Sequence, residues 1–246
     1  MSADHYTQKR TPARHHPKGL KLLDENRDII VVEKPCGLLT MGTDRDKSRT
    51  VHAILNQYVR KGDPRSRNRV YIVHRLDRET SGILILAKSE SAKVFLQGEW
   101  QKTNKRYLAV VYGSLMEKTG TISSYLTENS AFTVYSTPDP TIGRLSLTEY
   151  RVVKEAKGFT LLEIHLLTGR KHQIRVQLSE KGHPVVGDRK YGKGNDLYGA
   201  MALHAGLLSF THPVSGKRLT FETGIPEFFT RLVGEVTDYH YSDPAL

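Results

Sequence analysis

The residues best suited to chemistry lie between Val70 and Lys88, where the apolar runs Val70-Tyr71-Ile72-Val73 and Ile83-Leu84-Ile85-Leu86-Ala87 enclose a polar, charge-dense stretch. Such runs read as two buried strands presenting a loop whose backbone they hold still. Asp77 sits at the tip of that loop, between Arg75 and Arg78. A carboxylate mounted on rigid strands suits a catalytic role. Taken alone, an aspartate in a charged loop is more often a solvated surface acid.

The second such stretch is Thr168-Gly169-Arg170-Lys171-His172-Gln173-Ile174-Arg175-Val176-Gln177-Leu178. Ile174 and Leu178, four residues apart after a glycine turn, share one face of a helix. Arg170, Lys171, His172 and Arg175 crowd its start, where cations oppose the helix dipole unless an anion answers them. The bland alternative is a solvated helix end.

Several elements must hold these two stretches. Leu20 to Leu23 and Ile29 to Val32 form a hairpin about Asp24-Glu25-Asn26-Arg27, ended by Lys34-Pro35-Cys36-Gly37. Val51, Ile54, Leu55, Tyr58 and Val59 lie on one helical face. The loop Arg60 to Arg69 follows, with five cations, one acid and the helix-breaking Pro64, and is either a phosphate-contacting or merely a solvated loop. Ala92, Phe95, Leu96 and Trp100 indicate a short helix capped by Ser89. Strands are expected over Asn104 to Gly113, Thr119 to Leu126, Ala131 to Ser136, Leu145 to Val153 and Phe159 to Leu167, in an antiparallel meander.

His74-Arg75-Leu76-Asp77 followed by Arg78-Glu79-Thr80-Ser81-Gly82 and an aliphatic run resembles the signature of the RluA-type family of RNA pseudouridine synthases. Three further blocks agree in order: Lys105-Arg106-Tyr107-Leu108-Ala109, Arg170-Lys171-His172-Gln173-Ile174-Arg175, and Gly187-Asp188-Arg189-Lys190-Tyr191-Gly192, similar to the family's Gly-Asp-x-x-Tyr-Gly element. The resemblance runs from about Asn26 to about Phe221. It implies an α+β fold with a curved, mostly antiparallel sheet, a few flanking helices and a basic active-site cleft across the sheet. It also implies Asp77 as the catalytic aspartate, Arg175 as the arginine that pairs with it, and Tyr107 as the active-site tyrosine.

The implied reaction breaks the bond from ribose C1′ to uracil N1, turns the uracil and rejoins it through C5. Its products require no redox partner, phosphate donor or metal, so no cofactor is expected. Asp77 acts as nucleophile or as base at the sugar; the sequence leaves both open. Arg75, Arg78, Arg170, His172 and Ile174 are expected to hold the substrate, with Arg75 filling the space that a flipped-out nucleotide vacates.

Composition fits that reading without requiring it. Lys and Arg number 37 against 26 Asp and Glu, and the resulting charge of +11 suits a polyanion such as structured ribosomal or transfer RNA. The lone Cys36 excludes an internal disulfide. With neither a long apolar run nor an apolar signal core at the N-terminus, a cytoplasmic, monomeric protein with one main domain and no membrane contact is the default expectation. A flexible basic tail is expected over 1–19, a catalytic domain over 20–236 and a C-terminal tail over 237–246. With no apolar pattern in the first tail to build a separate RNA-binding module, recognition would fall to the basic loops.

Gly187 to Gly194 nearly spells a phosphate-binding P-loop but ends on glycine where a hydroxyl must reach magnesium, so no nucleotide cofactor is expected. His74, His172, His183, His204 and His212 show no metal-ligand spacing. The alternative from another class is a non-catalytic basic RNA-binding module, or a relative that has lost activity.

Overall fold

The alternation of side chains along two central strands explains why both read as unbroken apolar runs. In the computed structural model, which describes residues 17–42, 49–192 and 198–242, the first hairpin pairs β1 (Lys21–Glu25) with β2 (Ile29–Lys34). The two-residue β3 (Tyr71–Ile72) and β2 both pair antiparallel with β4 (Ser81–Ala87). Helix α1 (Val51–Arg60) covers Ile30, Val32, Leu84 and Leu86 with Val51, Leu55 and Val59. Helix α2 (Glu90–Gly98) covers the other face, Ile29, Val31, Ile83 and Ile85, with Ala92 and Leu96. Alternate residues of each strand are thus buried on opposite faces.

Both helices begin at the expected kind of residue. Thr50 accepts from the Ala53 amide and Ser89 from the Ala92 amide, each satisfying one free donor of a first turn. Trp100, expected in the second helix, lies beyond its end in a 3-10 turn, Trp100–Lys102.

The meander follows as β5 (Asn104–Tyr112), β6 (Thr119–Glu128), β7 (Val134–Thr137), β8 (Arg144–Ala156) and β9 (Phe159–Leu166). β7 starts later than the expected Ala131. Asn129 accepts from the Ala131 and Thr133 amides and Phe132 takes φ 56°, so this stretch is a turn. Helix α3 (Gln173–Glu180), β10 (Leu203–Thr211), β11 (Arg218–Glu222) and α4 (Glu227–Val233) complete the described elements.

The sheet runs β1-β2-β4-β10-β5-β9-β8-β6-β7, with β3 beside β4 and β11 beside β10. It is antiparallel throughout except where β10 meets β4. That junction is short, pairing His204 with Ser81 and Ala205 with Gly82. Gly82 has φ +117° and a Cβ there would lie 2.3 Å from the Ala205 oxygen, so the glycine that follows the Asp77 loop is what lets the two halves of the sheet touch.

The stretch 237–246, expected as a C-terminal tail, is docked as far as it is described. Tyr239 donates to Glu163 at 2.8 Å, the Ser242 amide donates to the same carboxylate at 3.1 Å, and Tyr241 donates to the Thr223 carbonyl at 3.1 Å. Buried Glu163 needs these donors, and they fix the segment to β9. Most of the expected basic tail, residues 1–16, lies outside the described residues, as does Gly194 of the near P-loop. None of the described helices is long and apolar enough to cross a membrane.

Candidate active site

The loop between β3 and β4 is fixed from beneath by the segment that follows β2. Thr40 Oγ1 donates to the Leu76 carbonyl at 2.9 Å and accepts from the Leu76 amide at 3.2 Å. On the other side of Asp77, the Arg78 carbonyl accepts from the Gly37 amide at 2.8 Å and from Lys34 Nζ at 3.1 Å. Lys34 is wholly buried and donates also to the carbonyls of Pro35 and Leu38. Burial pushes its pKa down to about 8. Neither Lys34 nor Thr40 stood out in the sequence, because contacts from a side chain to a distant carbonyl leave no periodic trace.

Helix α3 brings Arg175 to this loop from across the sheet. Its Nη1 donates to Asp77 Oδ2 at 3.0 Å. Its Nε and Nη2 donate to the two oxygens of Asp188 at 2.7 and 2.8 Å. Arg175 and Asp188 are 4% and 1% exposed, so this is a desolvated, two-pronged ion pair whose geometry fixes the guanidinium plane. Burial would lower the Arg175 pKa, but Asp188 and then Asp77 outweigh it and hold the group above its ordinary value.

Asp188 is itself prepared for the task. Its Oδ1 accepts from the Lys190 and Tyr191 amides at 2.9 and 3.1 Å. Gly187 before it has φ +79°, and a Cβ there would lie 1.9 Å from the Ala200 oxygen. These facts supply the structural sense of the Gly-Asp-x-x-Tyr-Gly block, to which the sequence alone assigned no role.

His172, at φ 53° before α3, places Nε2 3.8 Å from Asp77 Oδ2 and Nδ1 2.7 Å from the Tyr191 hydroxyl. The Tyr191 oxygen also accepts from the Val134 amide at 3.1 Å; in the tautomer in which the Tyr191 hydroxyl donates to His172 Nδ1, the ring proton lies on Nε2, facing Asp77. Burial lowers the His172 pKa, Asp77 opposes this, and the net shift is downward, which keeps the ring neutral.

Asp77, Tyr107, His172, Ile174 and Arg175 line one cavity of about 320 Å³, together with Arg75 and Arg170. Arg75 and Arg170 are exposed, and Ile174 is buried against the core. Tyr107 projects from β5, opposite Ile164 of β9 and Ala205 of β10. Burial, reinforced by Asp77, raises its phenol pKa above the ordinary value. Arg78 alone of the expected site residues does not line the cavity: its Nε donates to the Gly37 carbonyl at 3.2 Å, which makes it part of the loop's fastening. The basic loop Arg60 to Arg69 also contributes nothing to the cavity lining.

A further part of the lining was not foreseen. His74 stacks on Trp100 with ring centres 4.3 Å apart and accepts from the Ile85 amide at 3.2 Å. Burial, then the nearby Lys105 charge, pushes the His74 pKa down to about 3. Lys105, Ile83, Leu207 and Leu208 belong to the same lining. Among the described residues no three His, Cys, Asp or Glu side chains gather as metal ligands.

Comparisons with known proteins give the family. Residues 28–180 match the family model described as RNA pseudouridylate synthase. The chain is 33% identical over 225 residues to "Uncharacterized RNA pseudouridine synthase YlyB" of Bacillus subtilis, covering 88% of this chain and 73% of that one. It is 34% identical over 237 residues to "Ribosomal large subunit pseudouridine synthase D" of Nitrosomonas europaea, covering 91% and 67%. Among solved structures, "Human RNA Pseudouridylate Synthase Domain Containing 1" superposes with a TM-score of 0.71 at 27% identity, covering 91% of this chain and 89% of that one. The matched segment contains Asp77, Tyr107 and Arg175, and the mixed α+β sheet is shared, so the chain belongs to the RNA pseudouridylate synthase family, of RluA type, an isomerase acting on RNA.

Proposed function

We propose that this pseudouridine synthase acts on structured ribosomal or transfer RNA, in the cytoplasm and as a monomer, with Asp77, Tyr107 and Arg175 as its catalytic residues. The observation that carries the assignment is Asp77 held at 3.0 Å by a guanidinium that Asp188 has already fixed, at the edge of a cavity lined by Tyr107. The name of the Nitrosomonas relative favours ribosomal RNA over transfer RNA. The charge of +11 and the exposed Arg75 and Arg170 suit a phosphate backbone at the cavity mouth.

The target uridine must leave its stack to bring C1′ to Asp77, at a cost of about a few kcal/mol that a loop or bulge reduces. Arg75 then occupies the vacated space while Arg170 holds phosphate. Asp77 attacks C1′ or takes a proton from the sugar, and Arg175 keeps its carboxylate aimed. Counted as ionised groups, Asp77, Arg175 and Asp188 leave one negative charge over, so Arg175 orients Asp77 without neutralising it.

Ile174 and Tyr107 confine the detached uracil, and His172 Nε2–H limits the positions Asp77 can take. Burial keeps Tyr107 a neutral phenol, which suits stacking on uracil and relaying the C5 proton better than acting as a standing base.

Mapping pseudouridines in ribosomal and transfer RNA from cells lacking the gene tests the substrate class. One or more sites should vanish and return with the wild-type gene but not with Asp77→Asn. Loss confined to another RNA class would refute the assignment.

A further inference from the structure

Lys105 is the cation in the cavity that the mechanism leaves unused. It is 7% exposed, lines the same cavity as Asp77 and Tyr107, and among the described residues forms no ion pair. Its Nζ donates to the Trp100 carbonyl at 3.2 Å and lies 5.8 Å from the centre of the Trp100 ring, which leaves further N–H donors uncommitted. Leu208, its partner on β10, is apolar, as are Ile83 and Leu207 of the same cavity lining. Burial lowers its pKa, and no carboxylate opposes the shift. An isolated buried ammonium is costly unless something in the cavity answers its charge.

The other cations of the cavity have different engagements. Arg75 and Arg170 are exposed, and the function proposed above gives them the flipped nucleotide's vacated space and a phosphate. Arg175 is divided between Asp77 and Asp188. Lys105 and Tyr107 are two residues apart on β5 and so share one face of the strand, about 6.5 Å apart along it. Arg106 between them points to the opposite face, 3.9 Å from Glu163. A base in the cavity that Tyr107 and Lys105 both line would therefore meet the two side chains on the same face of β5.

We propose that Lys105 is a further catalytic residue, whose ammonium stabilises the negative charge on uracil while the base is detached from ribose. This rests on the function proposed above but not on the role of Asp77. When C1′–N1 breaks, the bonding pair stays with N1 and spreads over O2 and O4, whether Asp77 has bonded to C1′ or removed a sugar proton. The pair that C5 then uses to bond C1′ comes from the same anion, as the Asp77–C1′ bond breaks or as the proton taken by Asp77 returns to the sugar, and loss of the C5 proton with protonation of N1 restores the neutral ring. Lys105 keeps its protons throughout. Its charge acts most strongly on the detached state, as preorganised electrostatic stabilisation requires.

The test is single-turnover pseudouridine formation at saturating RNA, with RNA-binding isotherms at several salt concentrations. Lys105→Gln should slow the reaction about 100-fold, the loss typical of one charge-stabilising donor. RNA affinity and salt slope should stay at wild-type values, and Lys105→Arg should recover most of the rate. On RNA carrying 5-fluorouridine at the target, the electron-withdrawing fluorine takes over part of the charge, so C1′–N1 cleavage should show a smaller Lys105→Gln deficit.

A Lys105→Gln rate within about threefold of wild type overturns the proposal. So does an unchanged saturating rate with weaker, less salt-dependent binding, which would make Lys105 a phosphate ligand. An equal deficit on both RNAs, unrelieved by Lys105→Arg, would make it a packing residue. Lys105→Met supplies a second neutral variant if Gln prevents folding. Should wild type itself make no pseudouridine, the function proposed above fails first; an active wild type with an unaffected Lys105→Gln variant sinks this inference alone.

Discussion

Asp188 grips Arg175 from the side, through Nε at 2.7 Å and Nη2 at 2.8 Å, and so leaves Nη1 turned toward Asp77. The loop that carries Asp77 and helix α3 are therefore joined through Arg175 of α3, which Asp188 from a third segment holds in place. Asp188→Asn should leave Arg175 charged, buried and poorly aimed. Removing one partner of a buried pair costs about 3–5 kcal/mol, so the melting temperature should drop together with the single-turnover rate. Thermal melts and rates on the same preparation check this; a variant with wild-type stability would show that solvent, not Asp188, satisfies Arg175.

Acid stability carries the sign of the same pair. Burial would raise the Asp188 pKa, but its bonds to Arg175 and to the Tyr191 and Lys190 amides reverse that and hold it below its ordinary value. A carboxyl with a depressed folded pKa contributes stability that is complete above its unfolded pKa of about 3.9 and is lost as pH falls through the folded value. Melting temperatures taken down from about pH 6 should fall below about pH 4, more steeply in wild type than in Asp188→Asn. Parallel curves would remove Asp188 from the account.

Much of this site was legible in the sequence, for reasons that differ by residue. Asp77 and Arg175 lie in stretches whose flanking apolar residues are buried on regular elements, so the pattern placed the stretches, while only the motif singled out the two residues. Asp188 was visible only as part of a spelled block, since nothing in its spacing says that a loop carboxylate reaches back to α3. Arg78, next to Asp77 in the chain, donates through Nε to the Gly37 carbonyl and lies off the cavity lining, a placement that adjacency does not reveal. β10, although central, has nearly every residue buried and contains Gly206, so it offers neither alternation nor a clean run. The Lys105 part of the lining escaped notice because burial of a lysine is decided by neighbours far away in the chain.

The loop Arg60 to Arg69 is exposed and lies off the cavity lining, so its cations should act on binding alone. Replacing Arg65, Arg67 and Arg69 by Gln should weaken RNA affinity broadly and flatten its salt dependence by up to about one unit of slope for each phosphate no longer neutralised. Rates at saturating RNA should not change. Isotherms that superpose on wild type at every salt concentration would leave the loop a solvated surface feature.

Isomerisation exchanges one C–N bond for one C–C bond with no net redox change, so neither an oxidant nor a group donor enters its balance. Purified protein should convert uridine in a suitable RNA with a strong chelator present and nothing added. Activity that disappears with chelator and returns with zinc or magnesium, on RNA shown to keep its fold, would require a different site.

Asp77→Asn separates an enzyme from a protein that only binds RNA. The substitution keeps the side chain's shape and part of its hydrogen-bonding capacity but removes the charge that either version of the chemistry requires. Asp77 is 28% exposed in its side chain and Asp188 still holds Arg175, so folding should survive where Asp188→Asn damages it. RNA binding should persist and even tighten slightly, since a carboxylate near phosphates is removed and Arg175 Nη1 is released toward the RNA. Arg175→Lys should be impaired in both respects, because one ammonium cannot serve Asp188 through two bonds and Asp77 through a third in fixed directions. Single-turnover pseudouridine formation beside a binding titration decides the matter. If Asp77→Asn converts uridine at the wild-type rate, the carboxylate at the loop's tip is a surface acid, and the contact with Arg175 at 3.0 Å is an ion pair without a catalytic task.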